Sequence, residues 1–71
     1  MGKANCDTNF RYSAAINFNN MAVELIDWAK TQAKSDKGEK ALSDAIPTYE
    51  NAIEELKKMQ KNHQRACPEC K

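Results

Sequence analysis

The chain has 71 residues, of which 41% are hydrophobic and 30% charged, and its formal charge is +1. Such a length holds one small domain with a thin core, which a metal, a disulfide or a partner subunit commonly supplements. The near-neutral balance argues against a nucleic-acid or anionic-membrane footprint, and no apolar run approaches the roughly 20 residues of a membrane span.

Residues 1–12, starting MGKANCDTNF, carry no sustained period and read as an N-terminal arm with Phe10 and Tyr12 as apolar anchors. The arm contains no apolar signal-peptide core, and Cys6 stands where a myristoylation pattern needs Ser or Thr. The expected setting is the cytoplasm, where thiols stay reduced and cysteines hold metal or remain free more often than they pair.

Ser13 can cap a first helix over residues 13–34. Within it Phe18, Met21, Ala22, Leu25, Trp28, Ala29, Gln32 and Ala33 recur at three- and four-residue intervals, which predicts one apolar face. Ile16, Val23 and Ile26 lie well away from that stripe. A helix apolar on two sides has more to bury than one neighbouring helix can cover, so these three predict an interface with a second copy.

The stretch SDKG at 35–38 predicts the turn, with Asp36 and Glu39 spaced as a capping box and Gly38 supplying conformational freedom. The second helix, over 39–66, has a cleaner seam: Leu42, Ala45, Ile46, Tyr49, Ala52, Ile53, Leu56, Met59 and His63. Glu50, Glu54 and Lys58 mark its solvated face. Pro47 removes the amide that would bond the Ser43 carbonyl, so the expectation is either a kinked helix or a short helix followed by a long one. Cys67-Pro68 ends the helix, leaving a tail at 67–71. Nothing alternates with the period of a strand. The predicted fold is a single all-α domain, an antiparallel helical hairpin with the N-terminal arm packed back on it. The hairpin is expected to self-associate as a homodimer or higher homo-oligomer, forming a helical bundle.

Two helices joined by a short turn bring the chain ends together. With equal rise along both arms, residue i lies beside roughly residue 73 minus i, which puts Cys6 near Cys67. Cys67 and Cys70 form a C-x2-C knuckle, and His63 precedes Cys67 by one helical turn. Cys6, His63, Cys67 and Cys70 are the chain's entire cysteine and histidine content and match a closed, structural Cys3His zinc site. A disulfide among the three thiols, or no linkage at all, are the competing readings.

The tetrapeptide CPEC is similar to the C-P-x-C of glutaredoxin-type redox sites. Those sites open a helix, whose positive dipole end lowers the thiol pKa, whereas Cys67 follows a helix C-terminus. No Gly-rich phosphate loop exists, and His63 has no nucleophile or orienting acid at helical spacing. The chain is therefore expected not to be an enzyme. The cations Lys57, Lys58, Lys61 and Arg65 complement the end of the second helix dipole and lack the interleaved aromatics of a nucleic-acid surface.

The expected function is that of a small helical interaction or regulatory protein, adaptor- or inhibitor-like, docking a helix face on a protein partner. An alternative is an oligomer that sequesters a small anionic ligand such as a nucleotide, with Trp28 and Tyr49 stacking on it and Lys30 or Lys40 meeting its charge. A nucleic-acid-binding module is a further alternative.

Overall fold

The first helix starts earlier than its apolar residues suggest. In a computed structural model that describes residues 6–70, α1 spans Asp7–Thr31 and α2 spans Asp36–Ala66, followed by a 3₁₀ turn at Pro68–Cys70. Residues 7–12 of the expected arm are thus helix; residues 1–5 and Lys71 lie outside the described residues. Cys6, not Ser13, is the N-cap: its Sγ accepts from the Asn9 amide at 3.4 Å, in the place a serine oxygen usually takes. Asp7 adds negative charge to the first turn and pairs with Arg11 one turn on at 2.9 Å.

At the other end of α1 the Gln32 amide bonds the Ala29 carbonyl at 2.9 Å, and the chain turns through residues 32–35. Ser35 caps α2 by accepting from the Gly38 amide at 3.0 Å. The cap therefore falls one residue before Asp36, and Asp36 and Glu39 instead supply first-turn charge. α2 then runs unbroken through Pro47, which lies on its exposed side. The inward face continues past the proline from Leu42 to Tyr49, and packing along that face outweighs the one lost hydrogen bond.

The two helices pack antiparallel as a long ribbon. The molecule measures 51 × 18 × 11 Å, and its long axis agrees with the roughly 46 Å expected of a 31-residue helix. Its radius of gyration is 16.1 Å, against about 11 Å for a compact domain of this length. Among the described residues, only Cys6 and Ile53 are buried outright. No described helix is long and apolar enough to cross a membrane.

On α2 the inward positions are Leu42, Ile46, Tyr49, Ile53, Leu56, Gln60, His63 and Cys67, spaced alternately four and three residues apart, with Met59 turned outward. The matching half-buried positions are Asn9, Tyr12, Ile16, Asn19, Val23, Ile26 and Lys30 on α1 and Ala33 just past its end, spaced three and four. This is the heptad pattern of a two-stranded antiparallel coiled coil. It corrects the expectation for α1. Ile16, Val23 and Ile26 belong to the side that meets α2, and the face with Phe10, Phe18, Met21, Leu25 and Trp28 is exposed. The physical reason is angular: at about 100° per residue the exposed set and the half-buried set lie on opposite sides of α1. Asn9 and Ser13 fix which side faces α2, since both accept hydrogen bonds from Gln60.

Candidate metal centre

The open end of the ribbon, opposite the turn, joins the start of α1 to the end of α2. There the antiparallel register holds residue by residue: Cys6 meets Cys67, Asn9 meets Gln64 and Ser13 meets Gln60, each pair obeying the same sum of residue numbers. Gln60 donates to Ser13 Oγ at 2.8 Å and to Asn9 Oδ1 at 3.2 Å, while Gln64 donates to the same Asn9 oxygen at 2.9 Å. These amides pin the helices together one turn inside the cysteine cluster. The tilted ring of Tyr12 packs against the His63 imidazole with centroids 5.9 Å apart.

Four elements of local structure deliver the cluster. Cys6 is the cap of α1 and is 4% exposed. His63 occupies the last full turn of α2, and Cys67, its C-cap, bonds the His63 carbonyl through its amide at 2.8 Å. Pro68 cannot continue the helix, and the 3₁₀ turn that follows is closed by the Cys70 amide on the Cys67 carbonyl at 3.2 Å. That turn swings Cys70 back over the helix end.

The Cys6 sulfur is the hub. It lies 3.1 Å from His63 Nε2, 3.1 Å from Cys70 Sγ and 3.6 Å from Cys67 Sγ. All four donor atoms fall within 4.8 Å of one another, close enough to hold a metal ion. A tetrahedral zinc with Zn–S near 2.3 Å and Zn–N near 2.0 Å has donor-to-donor edges of about 3.5–3.8 Å. The observed separations bracket those edges. The three cysteines are free thiols here.

Proximity splits the thiol acidities. The Cys6 thiol is drawn down from 9.0 to about 7, first by its contact with His63 and then by those with Cys70 and the Asn9 amide. The Cys70 thiol is pushed up to about 12, first because it donates to Cys6 and next because burial disfavours its thiolate. The Cys6 sulfur thus ionises more readily than that of Cys70, which favours a cation beside it.

The residues expected to stack and neutralise an anionic ligand are not gathered into one place. Trp28 is on the exposed side of α1, whereas Tyr49 is half-buried on the α2 seam. Lys30 is 3.6 Å from Asp27, and Lys40 is 3.2 Å from Asp44. No enclosed pocket occurs among the described residues. Asn9, Gln60 and Gln64, which the apolar pattern passed over, turn out to support the cluster; for Asn9 and Gln60 the seven-residue spacing to Ile16 and Ile53 was the available signal. Compared with protein-family models, curated proteins and solved structures, the chain finds no match.

Proposed function

We propose that this chain is a small, non-enzymatic helical interaction protein of the cytoplasm, whose open end is closed by a structural zinc ion on Cys6, His63, Cys67 and Cys70. The observation that carries the metal reading is the convergence of four donors from both ends of the chain within 4.8 Å. Three thiols and an imidazole favour zinc over magnesium or calcium, which select oxygen ligands. Four protein donors leave no open position for water or substrate, so the ion acts as a staple and not as a catalyst. A reducing compartment would keep the thiols able to bind it.

The staple has a physical role to fill. A ribbon with two buried residues among those described has little core, and zinc binding in small domains contributes on the order of 10 kcal/mol to folding. With the end closed, the helices become a rigid rod whose outer faces are left to meet a partner. The identity of the donors is tested by titrating reduced, metal-free protein with Co(II). The expected spectrum has thiolate-to-cobalt charge transfer and intense tetrahedral bands, saturating at one ion per chain, and Cys6→Ser should weaken both. Weak octahedral bands with no sulfur charge transfer would overturn the assignment.

A further inference from the structure

The exposed side of α1 carries five large apolar groups: Phe10 (69% exposed), Phe18 (70%), Met21, Leu25 and Trp28 (62%). With Ala14 they follow one another at three- or four-residue steps and occupy an arc of about 80° on the helix. No charged residue occurs between positions 12 and 23. We propose that this stripe is a homodimer interface, on which the α1 helices of two copies pack antiparallel about a two-fold axis near Phe18 and Met21.

Area, pattern and charge each favour a second copy as the occupant. The chain exposes 5497 Å², whereas a compact monomer of its size would expose about 4,400 Å². That excess of about 1,100 Å² belongs to the whole elongated surface; the stripe's part in it is five large apolar side chains, each 55–70% exposed on one face, where a stable interface of standard size takes roughly 800 Å² from each partner. The stripe is also close to self-complementary. Setting Phe18 opposite the second copy's Met21 brings Ala14 opposite Leu25 and places Phe10 beside Trp28, so large groups meet small or flexible ones and the aromatics meet at both ends. Because the central turns carry no charge, the two-fold arrangement sets no like charges face to face. With α2 on the far side of each α1, the four helices would lie as a layer with the two α1 helices in the middle.

This inference deepens the reading of the chain as an interaction protein and does not depend on the metal. It is tested on full-length, zinc-loaded protein under reductant by sedimentation velocity from about 1 to 100 μM, the range in which a standard interface populates dimer. The expected result is a concentration-dependent rise to twice the monomer mass. Over the same range the emission of Trp28, the only tryptophan, should shift to shorter wavelength. Met21→Glu should remain monomeric throughout with wild-type helicity, whereas Lys37→Glu at the turn should dimerise like the wild type. Should Met21→Glu lose helicity, Phe18→Ala serves in its place, with a dissociation constant raised at least tenfold. A wild-type monomer at every concentration with unchanged Trp28 emission overturns the proposal, as does dimerisation unaffected by substitution in the stripe. Monomer with one zinc bound would strike the dimer alone, and dimer without zinc would strike the staple alone.

Discussion

At the scale of single residues, Cys6 does three things with one sulfur. It caps α1 through the Asn9 amide, touches His63 and Cys67, and accepts from Cys70. In the metal-free protein this hub gives a pH dependence with a turning point. A Cys6 thiol drawn down to about 7 stays ionised in the fold at pH values where the unfolded chain, near 9.0, still binds its proton. Stability therefore rises from pH 7 to 9. The Cys70 thiol, pushed up to about 12, keeps its proton in the fold after the unfolded chain has lost it, so stability falls again above 9. Urea unfolding of the metal-free, reduced protein from pH 6 to 11 should show a maximum near pH 9, and Cys6→Ser should remove the rising limb. A profile flat from pH 7 to 11 would contradict the assigned acidities. With zinc bound, acid instead competes with the ion for the thiolates, so metal affinity should fall steadily as pH drops.

At the scale of helices, α2 and α1 were unequally legible. The α2 seam was plain in the sequence because Leu42, Ile46, Tyr49, Ile53 and Leu56 are all apolar at heptad spacing. On α1 the same heptad is carried partly by Asn9, Asn19 and Lys30, whereas the face with the heavier residues points to solvent. Weight of hydrophobicity chose one side and strict periodicity chose the other. The polar seam residues are tolerated because they find local partners: the Asn19 side-chain Nδ2 donates to the Ala15 carbonyl at 2.7 Å, and Lys30 is 3.6 Å from Asp27. The start of α1 was illegible for a different reason, because a cysteine is not among the usual caps.

This exchange of faces sets apart two substitutions within a single turn of α1. Val23→Asp puts a charge on the half-buried side against α2 and should destabilise the hairpin by about 2 kcal/mol. Leu25→Asp lies on the exposed side and should leave the unfolding of a dilute monomer within about 0.5 kcal/mol of wild type. Equal losses in chemical denaturation would show that the faces are assigned wrongly. At the turn, Ser35→Ala removes the acceptor for the Gly38 amide and should cost about 1 kcal/mol. Ser35→Asp should retain most of that stability.

At the scale of the molecule, the site was legible because it follows from topology. A short turn and two long helices require the chain ends to meet, whatever the details of packing, and the cysteines and histidine are concentrated at those ends. The same topology would give the proposed staple its leverage. The turn already joins one end of the ribbon covalently, so the open end is where strands of helix would separate first. If zinc closes this end as proposed, removing it should loosen residues 6–13 and 60–70 before the rest. Hydrogen exchange after chelation should speed up at amides in these two segments, while those around Val23, Ile26 and Ile46 change less. Uniform acceleration along both helices would argue against a local staple.

The zinc staple is tested most simply by native mass spectrometry of untagged protein purified under reductant, repeated on the same sample under denaturing conditions. One zinc per chain under native conditions, lost on denaturation along with the return of three free thiols, is the predicted result. Chains that carry no metal after incubation with stoichiometric zinc would contradict the staple.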